Sequence, residues 1–348
     1  MDMQVPIKTL SKSTPVADRL SRPLRELRVS VIDRCNFRCT YCMPEDSLQG
    51  RGVFLPLVKL LTDHEIMDLV RAFVDLGVQK VRITGGEPLV RPGLPSLIGR
   101  LSAIEGLRDI ALTTNGVLLP RLATDLAEAG LSRVTVSLDS LDEQVLDHMS
   151  GGKARLKDIL AGIAAAEEAG FRQLKINTVV QRGVNDHTIL DLLAHFRGTG
   201  HTVRLIEYMD VGNSNHWHMD QVVSSAEWVR RIGEKWPIEP VSGGKPSETA
   251  RRYRYVDGQG EIGLISSITQ PFCGGCTRAR LTADGILYTC LFGNKGTNLM
   301  PLLRQSSDPV TLRDRIRSVW LQRQDRYSEI RTELTPKNDK VEMYRMGG

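Results

Sequence analysis

Residues 27–42, LRVSVIDRCNFRCTYC, run from a β-branched stretch straight into three closely spaced cysteines. Leu27–Ile32 reads as a strand, and the cysteines fall on the loop that leaves it. In α/β folds, ligand chemistry gathers on loops at the C-terminal ends of strands. Working outward, five further runs read as strands: Lys80–Thr84, Asp109–Thr113, Arg133–Leu138, Gln173–Val180 and Thr202–Tyr208. Amphipathic stretches at Asp63–Leu76, Pro95–Ile104, Arg121–Ala129, Leu156–Ala169 and Ile189–Phe196 separate them and read as helices. Asp63 supplies a capping signal, and Gly77, Gly130 and Gly170 supply stops. Such alternation demands right-handed crossovers and a parallel sheet. Six units fall short of the eight of a closed barrel, which leaves a partial (β/α)6 barrel or an open doubly wound sheet.

Beyond about residue 215 the pattern changes. A helix at Ser225–Trp236 is followed by a Gly/Pro-rich connection, then by a β-rich stretch with a hairpin signal at Asp284-Gly285, then by a helix at Val310–Gln322. The expected organisation is a flexible segment 1–20, a barrel 21–220, a β-rich C-terminal region 221–330 and a tail 331–348 ending in Gly347-Gly348.

With 348 residues, 41% hydrophobic and 25% charged, the chain has room for one large α/β unit plus an extension. No run of 18 apolar residues suggests a membrane span, and MDMQVPIKTLSKST lacks the apolar core of a signal peptide, so a cytoplasmic location is expected. The net charge of +5 comes without any block of basic residues, which argues against nucleic acid as a partner and suits a small anionic substrate.

The six cysteines form two triads, at 35, 39, 42 and at 273, 276, 290. A disulfide framework spreads its cysteines and suits small secreted domains; tight odd-numbered clusters point to metal. Cys35, Cys39 and Cys42 can hold three irons of a [4Fe–4S] cube and leave the fourth open to chelate a substrate, here S-adenosylmethionine (SAM). Cys273, Cys276 and Cys290 repeat that arithmetic, as a second open [4Fe–4S] cluster or as zinc completed by a histidine. Between them, Arg278 and Arg280 share one face of an extended segment, an arrangement that suits a polyphosphate. Arg28, Arg82 and Lys175 are charged residues inside predicted barrel strands, and any that point inward need an anionic partner. Arg204 shares that oddity.

C-x3-C-x2-C with Tyr41 before its last cysteine, together with Gly85-Gly86-Glu87-Pro88 after the second strand, resembles the radical SAM superfamily. FCGGCTRARLTADGILYTCLF, VRITGGEPLVR, LTTNG, VSLDS and RLIEYMDVGNSN narrow the resemblance to the molybdenum cofactor biosynthesis protein A family, over roughly residues 20–348.

That resemblance implies a six-unit partial barrel whose β-rich extension carries the second cluster, and GTP 3′,8-cyclase activity. It implies SAM contacts at Tyr41, Gly86, Glu87, Ser137 and Met209, and GTP contacts at Arg28, Arg82, Thr113, Lys175, Arg278 and Arg280. It makes Arg278, Arg280, Gly347 and Gly348 necessary for catalysis, the tail reaching into the cavity. The implied reaction begins with one-electron cleavage of SAM to a 5′-deoxyadenosyl radical, which removes hydrogen from C3′ of GTP; C3′ then joins C8. Implied partners are a flavodoxin- or ferredoxin-like electron donor, a downstream cyclic pyranopterin monophosphate synthase and a second copy of the chain. Two rivals remain: another two-cluster radical enzyme such as a peptide maturase, which usually carries more C-terminal cysteines, and a non-enzymatic iron–sulfur redox protein. The second leaves the GGEP turn and the strand arginines unexplained.

Overall fold

All six predicted barrel strands form. β1 (Glu26–Ser30), β2 (Lys80–Thr84), β3 (Asp109–Thr114), β4 (Arg133–Ser137), β5 (Lys175–Val180) and β6 (Thr202–Glu207) lie in chain order, each parallel to the next. The computed structural model describes residues 15–45, 54–244, 247–305, 308–331 and 340–347.

The C-terminal strands do not build a sheet of their own. β9 (Glu261–Ile265) adds parallel to β6, and β10 (Arg278–Leu281) adds parallel to β1. β8 (Arg251–Tyr255) and β7 (Ile238–Pro240) continue antiparallel beyond β9. On the other side, β11 (Ile286–Tyr288) and β12 (Thr297–Asn298) continue antiparallel beyond β10, with the Asp284-Gly285 turn between β10 and β11 as predicted. One twelve-stranded sheet therefore crosses the expected boundary at residue 220, and its two ends do not pair with each other. Residues from β10 through β1 to β9 line one common cavity, which requires the sheet to curl. The result is a partial barrel, open along one side.

The helices are α1 (Asp63–Asp75), α2 (Leu94–Ser102), α3 (Leu119–Glu128), α4 (Glu143–Ser150), α5 (Leu156–Glu168), α6 (Ile189–Phe196) and α7 (Ser225–Lys235), then the short α8 (Met300–Gln305), α9 (Pro309–Leu321) and the single turns α10 (Tyr327–Ile330) and α11 (Met343–Met346). Thr62, rather than Asp63, caps α1: its side chain accepts from Glu65 N while the Glu65 carboxylate accepts from Thr62 N, a reciprocal box. Among the barrel helices the unpredicted one is α4, whose Asp142 cap accepts from Gln144 N and Val145 N and whose stop is Gly151 at φ 68°.

Alternation along the strands sorts the residues by chemistry. Leu27, Val29, Val81, Ile83, Ile110 and Leu112 point outward and are buried under the helices, each worth about 1.5–3 kcal/mol of burial. The opposite face carries Glu26, Arg28, Lys80 and Arg82, so the barrel interior is lined by charge rather than packed with apolar side chains.

The described parts of both ends are held in place. Segment 1–20, expected to be flexible, is fixed from residue 15: Ala17 bridges to Pro23, and the Asp18 carboxylate is buried between Arg22 and Arg323. The tail is docked over 340–347, where Met346 is fully buried; Gly348 lies outside the described residues. No helix among the described residues is long and apolar enough to cross a membrane.

Candidate functional site

The first triad sits where β1 ends, on a loop held mainly by backbone. Gly86 N donates to the Ile32 carbonyl (2.9 Å) and Glu87 N to the Arg34 carbonyl (2.8 Å). A Cβ on Gly86 would collide with the Arg34 carbonyl, and one on Gly85 would come within 2.6 Å of the Ile32 carbonyl oxygen. The paired glycines thus let the second strand's loop press against the cysteine loop. From the other side, Arg38 N and Thr40 N donate to the carbonyls of Ser150 and Met149 at the end of α4 (3.0 Å each).

The Glu87 side chain is fully committed to this frame. It accepts from Leu89 N, Thr114 Oγ1 and Asn115 N at 2.7–2.9 Å, and burial still pushes its carboxyl up to about 7. Tyr41 donates its hydroxyl to Asp139 (2.7 Å), and burial lifts that carboxyl to about 6. Asn115 donates to the side chain of Asn36 inside the cysteine loop (2.7 Å). Burial raises all three thiols, Cys35 to about 11.

The second triad lies at the opposite mouth, because Cys276 precedes β10 and β10 runs parallel to β1. Roughly 13 Å of strand separate the two ends, at about 3.3 Å per residue from Glu26 to Ser30. This loop is held by buried guanidinium groups. Arg22 Nη1 donates to the Cys273 carbonyl (2.9 Å) and Arg323 Nη1 to the Cys276 carbonyl (2.8 Å), with Asp18 pairing both arginines. Arg278 Nη2 lies 3.2 Å from Cys276 Sγ. Against the upward push of burial, Arg278 and Arg323 pull the Cys276 thiol down to about 6, whereas burial keeps Cys290 near 11.

Between the mouths lies a cavity of about 1220 Å³, lined by Arg28, Arg82, Thr113, Lys175, Arg278 and Arg280, with Arg204, Met209 and the second triad. Tyr41, Gly86, Glu87 and Ser137 lie off this cavity, in or beside the first-triad frame. Arg82 Nη1 donates to Thr113 Oγ1 (3.1 Å) and Thr135 Oγ1 (3.3 Å). The Nε atoms of Arg28 and Arg82 and Oδ1 of Asn177 are buried without a hydrogen-bond partner, and such orphans call for a polar occupant. Burial and then the like charges of Arg204, Arg133, Arg82 and Lys80 depress Lys175 to about 7; burial brings Lys80 to about 8.

The tail packs against the cavity wall, which Met343 helps to line. Arg280 Nη1 donates to the Gly347 carbonyl (2.5 Å), and Gly347, at φ 69°, packs so closely on Thr84 that a Cβ would overlap its hydroxyl. Glu342 anchors this segment by accepting from Asn213 N (3.1 Å) and Ser214 Oγ (3.2 Å), and Lys340 Nζ donates to Asp210 (2.8 Å).

Sequence reasoning missed Glu26, Lys80, Asp139 and the Asp18–Arg22–Arg323 cluster. Lys80 carried the same signal as Arg82, a charge two residues away on one strand face. Asp139 stood inside the quoted VSLDS, whereas nothing local links Asp18 to Arg323, 305 residues away.

Both donor sets fit an iron–sulfur cluster: three soft thiolate donors with one corner free, all on one loop in the first triad and split between the loop before β10 and the end of β11 in the second. Among the described residues no three His, Cys, Asp or Glu side chains converge on a single metal ion; a cube asks for one thiolate per iron instead.

The radical SAM superfamily model matches residues 29–196, and a model described as Molybdenum Cofactor Synthesis C matches residues 201–329. A protein of Xanthomonas axonopodis pv. citri named GTP 3′,8-cyclase is 52% identical over 97% of this chain and 100% of its own. One of the same name from Aquifex aeolicus is 45% identical over 95% and 99%. Streptococcus suis SuiB bound to S-adenosylmethionine shares the fold (TM-score 0.59, 86% of this chain, 68% of that one) at 16% identity. With two mouths, two thiol triads and relatives matched end to end, the chain belongs to the GTP 3′,8-cyclase family of radical SAM proteins, which work with SAM and an iron–sulfur cluster.

Proposed function

We propose that this protein is a GTP 3′,8-cyclase, joining C3′ of the ribose to C8 of guanine in the first step of molybdenum cofactor synthesis. The observation that carries the reading is a cationic cavity between two thiol triads, in which the Nε atoms of Arg28 and Arg82 lack a hydrogen-bond partner. Cys35, Cys39 and Cys42 would hold a [4Fe–4S] cluster, which would supply the electron for reductive cleavage of SAM.

The chain's own residues bind, orient and exclude water. Arg28, Arg82, Lys175, Arg278 and Arg280, with Lys80 and Arg204, receive the triphosphate as charge-assisted donors. Thr113 holds Arg82 in place through its hydroxyl. Cys273, Cys276 and Cys290 would hold a second [4Fe–4S] cluster, which would supply an anchor for the guanine. Gly86, Ser137 and Met209 contribute to the SAM pocket, while Tyr41 and Glu87 act through the frame that fixes the cysteine loop. Gly347 shields the space between the mouths, Gly348 is needed for catalysis as the family resemblance implies, and a radical reaction gains from positioning and a dry site. A flavodoxin- or ferredoxin-like donor, a cyclic pyranopterin monophosphate synthase acting next, a cytoplasmic setting and a homodimer complete the proposal.

The test is anaerobic incubation of reconstituted, reduced protein with SAM and GTP. The expected result is 5′-deoxyadenosine together with a cyclised GTP product; 5′-deoxyadenosine with GTP returned intact would sink the assignment.

A further inference from the structure

Glu26 stands in an unexpected place for a cavity built to hold a polyanion. It opens β1 on the inward face, level with Lys80 on β2 and Arg278 on β10. Its carboxylate lies 3.0 Å from Lys80 Nζ, 3.5 Å from Arg28 Nε and 3.8 Å from Arg82 Nε. Other acids of the cavity wall are engaged elsewhere: Asp109 with Arg133, Glu248 and Glu261 with Arg252, Asp325 with Thr289 and Arg323. Among the described residues, Glu26 is the carboxylate that pairs with three cations at once.

Physics assigns it two opposite effects. While the cavity is empty, buried guanidinium and ammonium groups without a counter-charge would be strongly destabilising, and Glu26 supplies that charge. When a triphosphate enters, its oxygens compete for the same three cations, and the carboxylate becomes a like charge a few ångströms away. At an effective dielectric of about 20, a like charge roughly 6 Å away weakens binding by up to about a hundredfold, and screening brings this nearer tenfold.

We propose that Glu26 is a displaceable internal counter-ion that sets the cavity's response to ligand charge. It neutralises Lys80, Arg28 and Arg82 in the empty protein, releases them to phosphate oxygens on binding, and tempers triphosphate affinity so that a triphosphate product can leave. The inference rests on the reading of the cavity as a nucleoside triphosphate site.

The experiment measures dissociation constants of the cluster-loaded protein for GTP, GDP, GMP and inorganic tripolyphosphate, with Glu26→Gln and Glu26→Asp beside the parent chain. For Glu26→Gln we expect about tenfold tighter GTP and tripolyphosphate, a smaller gain for GDP and almost none for GMP. The empty variant should melt at lower temperature and recover more on adding tripolyphosphate. Glu26→Asp, which keeps the charge, should stay within about threefold of the parent. Weaker triphosphate binding in Glu26→Gln, or an equal change for GMP and GTP, would overturn the proposal. So would a Glu26→Gln chain that fails to fold even in saturating tripolyphosphate. The two readings separate cleanly. A parent chain that ignores GTP, with Glu26→Gln still tightening tripolyphosphate, removes the guanine nucleotide and keeps the counter-ion. A parent chain that binds GTP, with no gain in the variant, does the reverse.

Discussion

The two cysteine loops carry the same donor set and are held by opposite means. At the first mouth, backbone meets backbone: Gly85, Gly86 and the end of α4 clasp the loop, with the carboxyls of Glu87 and Asp139 beside it and the Arg38 guanidinium on the Cys35 carbonyl (2.8 Å). At the second mouth, two buried arginines, Arg22 and Arg323, do the holding, and a third, the part-buried Arg278, touches a cysteine sulfur. Charge near a cluster and hydrogen bonds to its sulfurs tune its potential. The acid-flanked first site therefore suits an electron donor, and the arginine-flanked second site suits an anchor that stays put. Identical ligands have been given different electrostatic settings by the scaffold.

The largest expected break comes from deleting one triad at a time. Serine at Cys35, Cys39 and Cys42 should abolish 5′-deoxyadenosine formation, more than about a thousandfold, since no other group supplies that electron. Serine at Cys273, Cys276 and Cys290 should leave SAM cleavage detectable and remove the GTP-derived product. Equal loss from both, read by chromatography of the two products, would erase the division of labour.

Next in size is Arg323→Gln. It leaves Asp18 with Arg22 as its one cationic partner and frees the Cys276 carbonyl, and breaking a buried pair costs about 3–5 kcal/mol. Iron content should fall from about eight towards four per chain, with the first cluster retained. A smaller contrast sets Gly86→Ala against Gly274→Ala. The first drives a methyl group into the Arg34 carbonyl and should cost about 1–3 kcal/mol, with poorer loading of the first cluster. The second meets nothing nearer than the Glu329 carboxylate at 3.8 Å and should be nearly silent in a thermal melt.

The smallest effect is a proton. Burial and neighbouring cations hold Lys175 near 7 in the empty cavity, below its ordinary 10.5. A triphosphate would return it towards the ordinary value, so between about pH 7 and 10 binding takes up a proton, and affinity falls as pH rises through that window. Calorimetry in buffers of different ionisation enthalpy reads this directly; no proton uptake at pH 8 would place the phosphates away from Lys175.

The two regions also differ in how far the sequence could be read. The first mouth is local: strand, cysteine loop and GGEP turn are contiguous motifs, and charges at Arg28 and Arg82 declared an inward polar face through simple alternation. The reason for the glycines was only half visible. In the structure Gly85 makes room for the backbone of Ile32, and Gly86 for that of Arg34 and Cys35. α4 was overlooked because it is a short helix of eight residues, although Asp142 and Gly151 marked its ends. The second mouth is assembled at long range. Asp18 and Arg323 meet across 305 residues, and β9 and β10 join opposite edges of the barrel, relations that no periodicity announces. Glu26 was hidden for a further reason: one acid beside alternating bases looks like an ordinary strand edge until the register places it opposite Lys80 and Arg278.

The account turns on the second mouth being the substrate's end. In the variant with serine at Cys35, Cys39 and Cys42, only the second cluster remains to give an electron paramagnetic resonance signal after reduction. Adding GTP should change that signal, and adding SAM should leave it as it was. A signal that responds to SAM and ignores GTP would contradict the assignment of the two mouths.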